Sequence, residues 1–135
     1  MPTPYLFFDG RCEEALDFYQ KTLGAEVDMT MRFKENPEAS SAMEMAPGTE
    51  NKIMHCSFRV NGETIMASDG YAKGNPTFAG FSLSVPAKDE ADADRLYNAL
   101  GEGGKVEMPL GKTFFAKRFG VVKDRFGVSW MVIAE

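Results

Sequence analysis

Apolar positions along the chain change their spacing in the same order twice. Tyr5 to Phe8 is a short apolar run ended by Asp9-Gly10, which reads as a strand. From about Arg11 to Leu23, the residues Cys12, Ala15, Leu16, Tyr19 and Leu23 fall on one helical face. Glu13 and Glu14 in the first turn and Lys21 in the last suit the helix dipole. Asp9 is placed to help cap this helix, and Gly24 to stop it. Val27, Met29, Met31 and Phe33 then alternate as a strand. Ile53–Val60 and Thr64–Ser68 flank Asn61-Gly62, the strongest hairpin signal in the chain. The second half repeats the order. Phe81–Val85 is a strand ended by Pro86, and Asp89 is a helix cap. Ala93, Leu96, Tyr97 and Leu100 form the helical face, and Gly101, Gly103 and Gly104 close it. Strands come next near Val106–Met108, Phe114–Val122 and Val128–Ala134.

Each half therefore reads β-α-β-β-β. A long unit present twice is not a solenoid, which needs about three short repeats. The expectation is an α+β fold in one domain of 135 residues, with modules at 1–72 and 73–135. Two such modules can build a curved eight-stranded mixed sheet with the helices outside. Residues 34–51, rich in Glu, Asn, Pro, Ser and Gly, read as a loop with a short segment around Ala42–Met45. Residues 69–76 (DGYAKGNP) read as the junction.

Alternate strand residues face opposite ways. In the third strand Met54, Cys56, Phe58 and Val60 make an apolar face suited to lie under a helix, opposite His55, Ser57 and Arg59. In the fifth, Phe81, Leu83 and Val85 alternate with Gly80, Ser82 and Ser84. The polar faces suit either solvent or the inside of a cup that holds a small ligand. His55, the single histidine, has a pKa suited to acid/base work, or is a hydrogen-bonded structural group. Asp69 either orients His55 or a ligand, or serves the turn before Gly70. Cys12 sits at a helix start, where a thiol pKa can fall; the plainer reading is a small apolar residue. Trp130 and Phe114, Phe115, Phe119 and Phe126 supply apolar surface divided between core and pocket. Nine methionines could line an adaptable pocket or fill the core.

Composition removes several classes. A net charge of −5 with scattered Lys and Arg leaves no basic stripe for nucleic acid. No apolar run nears the roughly 20 residues of a membrane span. The start of the sequence has no signal-peptide pattern, so the expected location is the cytoplasm. Two cysteines, one at a helix start and one in a strand, suggest no disulfide framework. A dinucleotide loop, a G-x-S-x-G elbow and a Cys/His zinc cluster are all missing from the sequence.

The stretches PYLFFDGRCEEALDFYQKTLGAEV (4–27), KIMHCSFRVNGETIMASD (52–69), GGKVEMPL (103–110) and FGVVKDRFGVSWMV (119–132) resemble the vicinal oxygen chelate superfamily of glyoxalases, bleomycin-resistance proteins and dioxygenases. Within it they are similar to the PhnB-like branch. The resemblance implies paired βαβββ modules, a cup-shaped site and a homodimer. Metal-using members hold a divalent cation with His and Glu. The corresponding positions here are Thr3 or Pro4, Met66, Gly80 and Met131, none of which is a donor for such a cation. The implied site has no metal or other cofactor, with a cation held by His55 and Asp69 or Glu44 as the alternative. Names in this branch suggest methyl transfer or phosphonate metabolism. Methyl transfer would want a nucleotide-type cofactor loop, and phosphonate a convergence of cations such as Arg59, Lys112 and Arg118.

The expected function is binding of a small organic molecule in the cup by His55, Ser57, Arg59, Met66, Asp69, Ser82, Trp130 and Met131. Phe7 is a further wall and Ser84 a further polar contact. One alternative is an enzyme of lyase or oxygenase type, metal-dependent or with His55 as acid/base. Another is a dimer whose cup is filled by its own side chains.

Overall fold

The computed structural model describes residues 2–35, 48–70 and 75–135. The short segment expected around Ala42–Met45, and Glu44 with it, lies outside these residues. The chain forms two compact units, Met1–Pro76 and Thr77–Glu135.

The first unit runs β1 (Tyr5–Phe7), α1 (Cys12–Leu23), β2 (Glu26–Arg32), β3 (Ile53–Val60) and β4 (Glu63–Ser68). Its sheet has the order β1-β4-β3-β2, with β1 parallel to β4 and the other pairs antiparallel. Asn61 (φ 51°) and Gly62 (φ 81°) form the two-residue turn between Val60 and Glu63. Positive φ at both positions is what a type I′ hairpin demands. Leu6, Ala67 and Cys56 lie side by side across three strands and are all buried beneath α1. Tyr19 from the helix is wholly buried, with its ring 6.0 Å from Phe58 and 6.1 Å from Phe8. Burying side chains of this size contributes about 2 kcal/mol each.

The start of α1 is tied down differently from expectation. Asp9 does not cap it; its carboxylate accepts from the Asn75 amide at 3.2 Å. Asp69, at the end of β4, does that work from across the sheet. Its Oδ1 accepts from the Gly10 and Cys12 amides (2.9 and 2.8 Å), and its Oδ2 from Ile53 (2.7 Å). The far end closes as expected, with Gly24 left-handed at φ 66°.

The second unit repeats the plan with β5 (Leu83–Pro86), α2 (Glu90–Gly101), β6 (Lys105–Gly111), β7 (Arg118–Lys123) and β8 (Ser129–Ala134). The order β5-β8-β7-β6 and the parallel β5/β8 pair match the first unit. The eight strands thus divide into two open four-stranded mixed sheets, one per βαβββ module. Asp89 caps α2 by accepting from Asp92 N at 2.8 Å. Ala93, Leu96, Tyr97 and Leu100 are buried as the helical spacing predicts. Gly120 occupies the position that Cys56 holds in the first unit, beside Val132. A Cβ there would lie 2.8 Å from the Tyr97 ring and 2.9 Å from Leu110 Cα, so the helix and β6 close down on a bare backbone.

Two strand expectations change. The strand read from Phe114 begins only at Arg118, because Thr113 and Ala116 close a turn on each other. Thr113 N donates to Ala116 O at 3.0 Å, and Ala116 N to Thr113 Oγ1 at 3.1 Å. The strand read from Phe81 begins at Leu83, after a bend at Gly80 (φ 80°). Among the described residues no helix is long and apolar enough to cross a membrane.

Candidate functional site

Each sheet has one face under its helix and one face away from it. The second face can be built row by row from the register. In the first unit Tyr5, Met66, Ser57 and Met29 form one row. In the second, the matching row is Ser84, Met131, Val121 and Met108. Met66 and Met131 are therefore equivalent positions of the repeat.

A β-bulge in each edge strand completes these rows. Val27 pairs with Phe58 but Met29 with Ser57, so Asp28 is the extra residue. Val106 pairs with Val122 but Met108 with Val121, so Glu107 is the extra residue. The extra residue reverses the facing of the side chains beyond it on that strand. Met29 thus turns to the open face, while Val27 stays on the core side. The simple alternation of Val27 with Met29 does not hold. In both units a cation from the neighbouring strand meets the bulge acid: Arg59 Nε to Asp28 Oδ1 at 3.0 Å, and Lys123 Nζ to Glu107 Oε1 at 3.5 Å.

On the open face of the second sheet lies a cavity of about 610 Å³. Phe78, Phe81, Met108, Val121 and Met131 give its apolar lining; Ser82, Ser129, Glu107 and Lys123 give the polar one. Ser82 and Ser129 share a hydrogen bond of 2.6 Å between their hydroxyls. That bond uses one of their two hydrogens and leaves the other to donate.

The expected site residues sort by position. Ser82 and Met131 line the cavity. His55, Ser57 and Met66 lie on the open face of the first sheet, where Met31 pairs with His55. Tyr5, not singled out from the sequence, holds the imidazole: its hydroxyl is 2.8 Å from His55 Nδ1, and its ring centroid 5.5 Å from that of His55. Burial raises the Tyr5 phenol above its ordinary pKa and keeps it protonated. Arg59 shares that face but is committed to Asp28 and Glu26, the latter at 2.9 Å.

Two residues need correction. Trp130 is 1% exposed and stands in the core of its unit, its indole donating to Asp124 Oδ2 at 2.9 Å. Adjacent strand residues face opposite ways, so Trp130 and Met131 cannot both line one face. Asp69 is 1% exposed, with its carboxylate spent on three backbone amides, so it neither orients His55 nor meets a ligand. Cys12 is no reactive thiol either. It is fully buried, 3.6 Å from the Cys56 sulfur. That contact first, then burial, pushes the Cys12 thiol up.

Sequence reading missed Phe78, Met108, Glu107 and Lys123. The signal for Glu107 and Met108 was the repeated Val-acid-Met, Val27-Asp28-Met29 and Val106-Glu107-Met108; Phe78 and Lys123 lie outside it.

Among the described residues a divalent cation finds no fitting set of donors. Thr3 or Pro4, Met66, Gly80 and Met131 stand where the resemblance implies metal ligands, and none is a donor for such a cation. Among the described residues no three of His, Cys, Asp and Glu are grouped to hold a metal.

The sequence pattern of the family described as 3-demethylubiquinone-9 3-methyltransferase matches residues 2–133. The chain belongs to that family. The family is PhnB-like. The chain is similar to PA1353 from Pseudomonas aeruginosa, a solved structure, with 42% identity and a TM-score of 0.84 over 100% of this chain and 97% of that one. A PhnB protein from Bacillus cereus is 34% identical, TM-score 0.81, over 99% and 98% of the two chains. Protein YjdN of Escherichia coli K12 is 37% identical over 96% of this chain and 92% of its own. The fold extends to the fosfomycin resistance protein FosX from Mesorhizobium loti, at 11% identity with a TM-score of 0.61 over 100% and 90%.

Proposed function

We propose that this PhnB-like protein binds a small organic molecule, without a metal, on the open face of its C-terminal sheet. The observation that carries the reading is the cavity of about 610 Å³ walled by Phe78, Phe81, Met108, Val121 and Met131. Ligand sites commonly span ~300–1,000 Å³ and pair apolar walls with a few polar groups. The Ser82–Ser129 hydroxyls, with one hydrogen to spare, supply a donor inside. Methionine side chains adapt to ligands of different outline. The family's description names a methyl transfer. This sequence carries no Gly-rich strand-to-helix loop for a nucleotide-type cofactor, and the reading does not use that chemistry.

The test is a panel of aromatic and amphipathic small molecules. Binding is read by thermal shift and by the NMR shifts of methionine methyls labelled with carbon-13. A true ligand moves the Met108 and Met131 methyls together. Val121→Phe, which fills the cavity, weakens that ligand by roughly tenfold or more, an overpacking cost above ~1.4 kcal/mol. Unchanged affinity in this variant, or hits that leave both methyls in place, would sink the reading.

A further inference from the structure

On the open face of the first sheet, Tyr5 fixes one ring nitrogen of His55. Of the two groups, the phenol O–H is the better donor and a neutral imidazole nitrogen the better acceptor. The phenol hydrogen is therefore assigned to the bond with His55 Nδ1, 2.8 Å away. A neutral imidazole whose Nδ1 accepts carries its proton on Nε2. The Nε2 atom lies on the opposite side of the ring from Tyr5, and it has no hydrogen-bond partner among the described residues.

We propose that His55 is a fixed hydrogen-bond donor, Nε2–H, for the carbonyl oxygen of an uncharged, largely apolar molecule. Tyr5 is its positioning residue. Both ring nitrogens are accounted for, so His55 is not poised as a general base. The apolar partner surface is adjacent. Met66 lies beside Tyr5, Met31 beside His55, and Phe7 is 57% exposed with its ring centroid 5.1 Å from that of Tyr5. The preference for a neutral carbonyl over a carboxylate comes from charge. Arg59, on this face, is held by Glu26 and Asp28, and the chain carries −5 overall. Among the described residues no uncommitted positive group on this face repays the desolvation of an anion. The groups involved lie wholly within the first unit, and the proposal does not rest on the C-terminal cavity.

The experiment is nitrogen-15 NMR of the imidazole in the whole protein, at a pH where His55 is neutral, with acetophenone as probe. Ethylbenzene, which lacks the oxygen, and benzoate, which is charged, are the controls. The expected result is a protonated Nε2 and a bare Nδ1, with acetophenone shifting the Nε2–H resonance and both controls leaving it in place. Tyr5→Phe mixes the two tautomers and weakens acetophenone roughly fivefold, the loss of about one ordinary hydrogen bond. A proton on Nδ1 in the unmutated protein overturns the proposal without any variant. An Nε2–H that stays put while the Met108 and Met131 methyls move also overturns it, yet leaves the cavity reading standing. A stronger response to benzoate than to acetophenone overturns the neutral-carbonyl assignment.

Discussion

Asp124 is 2% exposed, yet its carboxylate is among the most heavily used groups in the second unit. It accepts from the Phe126 and Val128 amides at 2.9 and 3.0 Å and from the Trp130 indole at 2.9 Å. It thereby closes the β7–β8 turn and fixes the one tryptophan from inside. Asp124→Asn replaces an acceptor oxygen with a donor amide, so one of these three N–H groups loses its partner. The expected cost is ~1–3 kcal/mol, read from the denaturant midpoint, with a red shift of Trp130 emission in the native state. A variant with wild-type midpoint and emission would show the tie to be dispensable. The buried role of this residue was not legible in the sequence, where Lys123-Asp124-Arg125 looks like a solvated turn. Trp130 was legible in part. The alternation of Trp130, Val132 and Ala134 against Met131 and Ile133 already separates core from open face. The tryptophan was drawn to the wrong side by its size and its usefulness as a ligand wall.

At the scale of elements, the repeat explains both what could be read and what could not. Asn61-Gly62, Gly24 and Asp89 act through local backbone chemistry, and each does what its residue type implies. The helical faces of α1 and α2 come from spacing alone. The bulges at Asp28 and Glu107 break the period of two, so a straight alternation carries Val27 and Met29 to one face when the register puts them on opposite ones. Comparing the halves would have exposed this, since the same Val-acid-Met stands at the same place in each. The halves differ where helix meets sheet. The first fills the space with Cys12 and Cys56. The second leaves Gly120 bare and lets Tyr97 close in, its hydroxyl donating to Met108 O at 2.8 Å. Gly120→Ala therefore has to push back a ring and the Leu110 backbone, with an expected cost of about 1–3 kcal/mol. Gly111→Ala, at the end of β6, meets nothing within 4 Å and should stay within about 0.5 kcal/mol of wild type. Thermal or urea unfolding of the two variants checks the contrast, and equal losses would refute it.

At the scale of the whole molecule, the two sheets share one order, and that order predicts a pattern of protection. Within each sheet, β3 and β4, or β7 and β8, are the central strands, while β2 and β6 are bulged edges. An edge strand bonded on one side opens at a lower free energy than a strand bonded on both. All five residues from Lys105 to Pro109 in β6 are exposed, and so are Glu26, Asp28, Met29 and Thr30 in β2. In native-state hydrogen exchange, the slowest amides should therefore be those of Cys56, Phe58, Ala67, Val122, Trp130 and Val132. The amides of β2 and β6 should exchange earlier, in both units alike. If the edges prove as protected as the centres, isolated sheets cannot account for it. A further strand must then pair with them, and the obvious source is a second copy of the chain. Repeating the measurement across a dilution series separates the cases. Protection supplied by a partner chain falls as the protein is diluted below its dissociation constant, whereas protection within one chain does not.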